Sequence, residues 1–441
     1  MNDYFVGFVV SSRFGLNSGS LTPPTHFLVY LQQRRQTFFL LLSSMIHRII
    51  YWFRNDLRLQ DNEAFLAATQ IAQEVVPVYV FDLRQFEKTK FGFRRTGALR
   101  AQFLLESVLD LRNRLREKGG DLLIRVGEPE KIVAALAEEY GAQYIYTSKE
   151  IAPDETSVET TLSKNIKVMN VDIKLFWMST LGSVLDLPFS IAKLPFDFPD
   201  FHAQVKAHFK VKPALAEPEK VTLPQGYEAG LIPSLPMLSI DPLEITAADS
   251  SAVKTKGGET AAMQVLNSFI EENIKAGKTL TSDEPIIDYG LSAWLSLGCL
   301  SPRTIYAALL PFMNSTEAET IVTDLLKRDF THWTLLRHGS RLFKPGGIKH
   351  EVNKRWLNET SEFEKWTDAK TENTAVNNAI SKLTATGHLN AGERILAADY
   401  LANELGVNWT WGAMYFESLL VDYSVSGNWS RWNNIAGVGG I

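Results

Sequence analysis

The chain has 441 residues, 45% hydrophobic and 22% charged, the proportions of a soluble globular protein with room for two or three domains and a large core. A formal net charge of −5 excludes a globally basic nucleic-acid binder, so any such surface must be a local patch. The single cysteine, Cys299, excludes an intrachain disulfide framework and a cysteine-cluster metal site, and it suits a reducing cytoplasm.

Residues 1–44 differ from the rest of the chain. Asp3 is their only acidic residue, and no helical or strand period runs through them. Three arginines are thin support for a transit peptide, and FFLLLSS is too short to span a bilayer. We expect an extension outside the recognisable fold, best accounted for by an over-extended gene start before Met45.

From there the pattern alternates. Residues 47–53 form an apolar, β-rich run followed by Arg54-Asn55-Asp56, polar residues suited to a loop at a strand's C-terminal end. A helical stretch and a second strand at 75–81 come next, then a long amphipathic helix at 99–118 closed by Gly119-Gly120. Strand 122–126, helix 129–140 and strand 144–147 complete the series. Such alternation predicts a doubly wound parallel α/β domain over 45–175, although no GxGxxG follows the first strand. Over 176–256 the pattern loosens, and prolines at 188, 195, 199, 213, 218, 224, 233, 236 and 242 forbid long helices, which predicts a connector. After Gly257 helical periods dominate, predicting a mostly α-helical domain over 257–441.

Near the C-terminus, Arg394 and Asp422 lie 28 residues apart, at the edges of two stretches of helical period, 395–405 and 414–421. Gly406 ends the first, and Gly427-Asn428 is expected to break the pattern after the second. Two packed helices would then hold Arg394 and Asp422 close together and partly buried. The aromatic content of 11%, with ten tryptophans, has a plain alternative in a large aromatic core. The eight histidines show no HExxH or paired spacing, so no metal site is expected.

Several segments carry a resemblance. WGAMYFESLLVDYSVSGNWSRWNNIAGVG resembles the flavin-binding C-terminal region of the photolyase/cryptochrome family, closest to its DASH branch. HRIIYWFRNDLRLQDNEAF is similar to the family's first strand and turn, LSAWLSLGCLSPRTIYAAL to its helical FAD motif, and GGETAA at 257–262 to the DASH pattern. The resemblance covers roughly His47 to the end. It implies an antenna-chromophore α/β domain and a helical domain binding FAD. It places Asn428 beside flavin N5, although an Asn after Gly is ordinarily a turn residue. It places Arg394 and Asp422 near the isoalloxazine, with Arg328 and the Asp422-Tyr423-Ser424 loop around the cofactor. The FAD-phosphate loop corresponds to Asp288-Tyr289-Gly290-Leu291-Ser292. Trp432, Trp409 and Trp356 match the family's electron-hopping chain, for which indole suits because it is readily oxidised; any one of them alone would more often be core. Glu150 falls near a folate-antenna contact (5,10-methenyltetrahydrofolate), with a solvated loop glutamate as the plain alternative.

Departures from the family pattern are numerous. The tryptophan that packs on a flipped dimer is replaced by Lys327, the neighbouring glutamate by Asp324, and an active-site asparagine by Ala391. Ser424 stands for a second aspartate, and Asp288 would repel phosphate. Where the DASH pattern reads TGxPLVDA this chain has TENTAVNN, and it stops at Ile441 where relatives continue for several helices. The resemblance implies light-driven electron transfer from FAD to cyclobutane pyrimidine dimers in single-stranded DNA, by a cytoplasmic monomer without membrane attachment. The alternative is a flavin photoreceptor without repair activity, which Lys327 and Ala391 favour.

Overall fold

The computed structural model describes residues 46–206, 208, 210–246, 255–280 and 284–440, so the expected extension at 1–44 lies outside the described residues. Residues 46–441 form one compact unit. Its first layer is a five-stranded sheet of β1 (Ile46–Phe53), β2 (Ala72–Phe81), β3 (Leu123–Val126), β4 (Tyr144–Ser148) and β5 (Asp172–Phe176). The order is β3-β2-β1-β4-β5 and every pairing is parallel. Ile49 to Phe53 are all buried because both faces of β1 are covered: Ile49, Tyr51 and Phe53 enter one core cluster, Ile50 and Trp52 another. Helices α1 (Glu63–Ile71), α2 (Ala98–Glu117), α3 (Pro129–Glu139) and α4 (Pro153–Lys167) connect the strands. The doubly wound parallel fold expected from the sequence is therefore present; α4 and β5 extend it past the last strand read from the sequence.

The second layer is helical. After α5 (Phe198–Lys206) come α6 (Glu259–Phe269), α7 (Pro302–Leu309), α8 (Thr316–His338), α9 (Thr360–Thr367), α10 (Thr374–Thr386), α11 (Ala391–Asp399), α12 (Trp409–Leu419) and α13 (Val425–Ile435). One expectation is corrected here. Gly427-Asn428 does not break a helix but lies in the first turn of α13, because the Ser424 hydroxyl caps that turn by accepting from Gly427 N at 3.2 Å.

The segment expected as a loose connector packs against the sheet layer. Ile124 N donates to Ala229 O at 2.6 Å, Val75 N to Thr222 O at 2.9 Å, and Leu215 N to the Asp61 carboxylate at 3.0 Å. Its prolines bar long helices, and the one helix of nine residues there, α5, has Pro199 in its first turn; they leave the rest free to run as an extended strap along the sheet.

The joint between the layers is built from three of the motifs read in the sequence. The loop after β1 meets the 291–309 segment: Leu57 N donates to Leu297 O at 3.2 Å, and Arg58 Nη1 to Gly298 O at 2.9 Å. Gly298 has φ +66, and a Cβ there would collide with the Asn55 carbonyl oxygen, so only glycine permits this approach. Arg303 Nη2 pairs with Asp61 Oδ1 at 2.8 Å. In the GGETAA segment the Glu259 carboxylate accepts from Leu59 N at 2.7 Å and Gln60 N at 3.0 Å and pairs with Arg114. These segments hold the layers in register.

Candidate functional site

The helical layer encloses a cavity of about 340 Å³ bounded by the 284–296 segment, α8, α11, α12 and α13. Helix α11 starts with a capping box, Asn390 and Glu393 exchanging side-chain and backbone bonds, which sets Arg394 on its inner face. Arg394 Nη2 pairs with Asp422 Oδ2 at 2.7 Å while its Nε donates to Leu389 O at 3.0 Å, so the guanidinium is held at two edges. Ser292 Oγ donates to the same Asp422 oxygen at 2.6 Å. Burial alone would raise the Asp422 carboxyl, but the Arg394 charge and the Ser292 and Arg394 hydrogen bonds hold it below the usual carboxylate range. The expected close, buried Arg394–Asp422 pair is present.

Asp422 Oδ1 is buried with no hydrogen-bond partner. Such an orphan is costly unless a ligand donor satisfies it. Asn428, on the wall of the same cavity, donates its amide N–H to Ala413 O at 3.0 Å, which leaves the amide oxygen as its acceptor. A buried anion with a free lone pair, a fixed guanidinium and an amide form a donor–acceptor set that fits a flat heteroaromatic ring bearing N–H and C=O groups, as FAD does.

The FAD-phosphate loop is distributed differently. Ser292 lines the cavity and Leu291 is buried behind it. Tyr289 stacks obliquely on Phe269 at 5.3 Å, and Gly290 has φ +77. Asp288 is exposed, and its Oδ1 accepts from Ala391 N at 2.8 Å at the start of α11. Arg328 lines the wall, with its guanidinium donating to Ser179 O and, at 3.2 Å, to Leu295 O. Ser424 caps α13, and the Tyr423 hydroxyl accepts from Trp429 Nε1 at 3.2 Å under the Arg100 guanidinium.

The outer wall carries Asp324 and Lys327, one turn apart on α8. Burial pushes the Asp324 carboxyl up to about 7; the bond it accepts from Ile286 N at 2.9 Å opposes this, and the Glu284 charge adds to it. Across the same wall Arg431 Nη1 donates to Glu284 Oε1 at 3.1 Å. This pair went unread in the sequence; the one available signal was Arg431 three residues beyond Asn428, on the same helical face.

The three tryptophans stand behind the cavity, Trp432 reaching it through Phe416, which lines it. Trp432 is fully buried, its indole N–H has no partner, and its ring meets Phe416 edge-on at 5.1 Å. It lies so close to α12 that a Cβ on Gly412 would run into the ring. Trp409 stands one turn earlier on α12 and is also fully buried. Trp409 Nε1 and Trp356 Nε1 both donate to Pro345 O at 3.0 Å, which brings the inner and outer indoles to one carbonyl. Trp356 is half-buried. Two further tryptophans join this cluster: Trp366 meets Trp432 at 6.3 Å and Trp429 meets Trp409 at 5.9 Å.

A second, larger cavity of about 540 Å³ lies between the layers, at the C-terminal ends of β1, β2 and β4. Glu150 is on its wall and only half exposed, not a freely solvated loop residue. Burial pushes its carboxyl up to about 7 against the pull of the Arg54 charge. Leu295, Ser296, Arg328, Tyr423 and Ser424 line both cavities, so one wall separates them. Among the described residues no group of three His, Cys, Asp or Glu side chains could hold a metal ion, and no helix is long and apolar enough to cross a membrane.

The DNA photolyase family matches residues 49–220, and the FAD binding domain of DNA photolyase matches residues 321–441. Cryptochrome DASH of Gloeobacter violaceus is 37% identical over 89% of this chain and 79% of its own length. Cryptochrome DASH of Danio rerio is 35% identical over 89% and 77%. The crystal structure of a Synechocystis cryptochrome superposes with a TM-score of 0.82 at 32% identity, covering 89% of this chain and 83% of that one. A class III photolyase from Agrobacterium tumefaciens shares the fold, with a TM-score of 0.75 at 22% identity, covering 89% and 80%. The chain belongs to the photolyase/cryptochrome family, its relatives are DASH cryptochromes, and its helical half is that family's FAD-binding domain.

Proposed function

We propose that this protein is a DASH-type cryptochrome/photolyase that transfers electrons under blue light and repairs cyclobutane pyrimidine dimers, chiefly in single-stranded DNA. The observation that carries the reading is the unsatisfied Asp422 carboxylate oxygen, paired with Arg394 in a cavity that Asn428 also lines, with Trp432 packed behind the lining ring of Phe416. Bound FAD supplies the light-driven one-electron chemistry. Arg394, Asp422 and Asn428 hold the flavin ring; Ser292, Tyr423, Ser424 and Arg328 frame the rest of its cavity; the 288–291 turn supports that frame from behind. Trp432 donates an electron inward and is refilled through Trp409 and Trp356. Asp324 and Lys327 face the incoming base. With its carboxyl pushed up to about 7, Asp324 is protonated on the acid side of neutrality and can donate a hydrogen bond to a base carbonyl. Photolyases, like other base-flipping enzymes, act on a nucleotide taken out of the stack, which costs least in damaged or single-stranded DNA.

The same reading divides the chain into an antenna domain at 45–175, a connector at 176–256 and the FAD domain at 257–441. The cavity beside Glu150 takes the antenna, a folate such as 5,10-methenyltetrahydrofolate, across one wall from the flavin. We place the protein in a reducing compartment, the cytoplasm, as a monomer.

A second reading, a flavin photoreceptor without repair activity, is favoured by Lys327 in place of a stacking aromatic. Blue-light repair of a dimer-containing oligonucleotide decides between them. Dimer loss with turnover supports the enzyme, whereas photoreduction of the flavin without dimer loss supports the receptor.

A further inference from the structure

The outer end of the tryptophan file lies in a basic surface segment. Between 341 and 355 the exposed side chains include Arg341, Lys344, Lys349, Lys354 and Arg355 against a single carboxylate, Glu351, in a chain of net charge −5. Glu351 accepts from Asn353 N at 3.2 Å, and exposed Glu359 is the next acid along the chain. Lys349 Nζ donates to Gly437 O at 3.3 Å and Lys354 Nζ to Ala436 O at 2.6 Å. Both ammonium groups therefore sit at the C-terminal end of α13, where the helix dipole favours cations. Lys354 Nζ lies 4.5 Å from the centre of the Trp356 ring. The Trp356 N–H is fastened to Pro345 O, within the basic segment itself.

We propose that this segment is the entry for a small anionic one-electron donor that refills Trp356; the proposal rests on the reading that Trp356, Trp409 and Trp432 carry electrons to the cofactor. Trp356 gives one electron to oxidised Trp409 and becomes an indole radical cation. The donor then gives Trp356 one electron and is itself oxidised by one electron, which restores the neutral indole. If the indole proton has meanwhile passed to water, one proton returns from water with that electron. The Lys354 charge above the ring disfavours the cation, so oxidised Trp356 is a stronger electron acceptor than a free indole. The same cluster raises the local concentration of anions on a protein that otherwise repels them.

The test tracks the decay of the tryptophan radical after a blue flash on FAD-loaded protein, with hexacyanoferrate(II) as anionic donor and hexaammineruthenium(II) as cationic donor. At low ionic strength the anion should react at least about tenfold faster than with a Lys349→Glu/Arg355→Glu variant, and the cation more slowly. The contrast should fade near 0.15 M salt, where the screening length falls to about 8 Å. Rates independent of donor charge and of salt would overturn the proposal. So would suppression of the anion's advantage by undamaged oligonucleotide, which would mark the segment as a DNA-backbone surface. A second arm needs no electron transfer. Fluorescence quenching of Trp356, isolated by difference from Trp356→Phe, should be stronger with iodide than with caesium, and the double variant should reverse that order. Equal quenching overturns the proposal even where the radical is seen. Absence of any radical overturns the electron-chain reading instead, and the quenching arm still decides the surface.

Discussion

The two walls of the helical cavity differ in kind. On the inner wall Arg394, Asp422 and Asn428 are buried and hydrogen-bonded, and Trp432 is packed behind it against the lining ring of Phe416. The outer wall, with Asp324, Lys327 and the Arg431–Glu284 pair, is partly exposed at every one of these residues but Asp324, and it is where the family resemblance implies departures, at 324 and 327. In the proposed function, cofactor binding and electron supply depend on the first and recognition of a lesion on the second. Under that proposal the photochemical wall is held by buried pairing that a single substitution would break, whereas the recognition wall tolerates change because its side chains reach solvent.

The largest effect should come from breaking the inner wall. Arg394→Met leaves Asp422 buried without its cation, and removing one partner of a buried pair costs about 3–5 kcal/mol. We expect a lower melting temperature and loss of bound flavin, read by thermal unfolding and by absorbance per chain. Wild-type melting and flavin content in that variant would contradict the role given to the pair.

Next in size is the seat of Trp432. Gly412→Ala drives a methyl into the ring, and overpacking of a filled core costs about 1–3 kcal/mol. Trp432→Phe should lower the photoreduction yield more than Trp409→Phe or Trp356→Phe, because it removes the indole next to the cavity. Equal yields in all three would mean that these rings only pack.

A titration sharpens the outer wall. Asp324 has a folded value of about 7, above its unfolded value of about 3.9, so the folded protein binds the extra proton between them. Its contribution to stability is present at low pH and is lost as pH rises through 7. Asp324→Asn should therefore gain stability relative to wild type at pH 8.5 but not at pH 4, as measured by urea unfolding. His332 opposes this with a folded value of about 3, its stability contribution being lost as pH falls from about 6.5 towards 3, so the comparison must be made within each pH.

The smallest effect belongs to the Arg431–Glu284 pair. Both side chains are about one-fifth exposed, and such a pair is worth at most about 1 kcal/mol. Glu284→Gln should barely change either unfolding or flavin content, as urea unfolding and absorbance per chain read directly; loss of flavin in this variant would blur the division between the two walls.

How far the sequence reveals this depends on the range of the interactions. β1 to β4 were legible because short apolar runs between helical periods admit few other readings. Arg394 and Asp422, 28 residues apart, were legible because each borders a periodic stretch and two such stretches can pair as helices. α13 was not, since Gly427-Asn428 reads as a turn until the Ser424 cap is seen to fold it into a first helical turn. The proline-rich strap looked loose because its hydrogen bonds go to distant strands. Pro345 was invisible as the shared acceptor of two indoles, since nothing in its own neighbourhood points to Trp409, 64 residues away. Asp288 was read against a phosphate, while the fold turns it to the start of α11.

The proposed division of the cavity, an electron-transfer wall facing a recognition wall altered at Lys327, is tested most directly by DNA binding. Stacking an aromatic ring on an extruded base is worth about 1–3 kcal/mol, roughly a 10- to 100-fold change in affinity, and Lys327 forfeits it while attracting phosphate without regard to damage. Affinity for dimer-containing and undamaged single-stranded oligonucleotides should be measured at two salt concentrations in the wild type and in Lys327→Trp. The account predicts salt-sensitive binding with weak discrimination in the wild type and restored preference for the dimer in the variant. Strong dimer preference in the wild type, unchanged by Lys327→Trp, would contradict it.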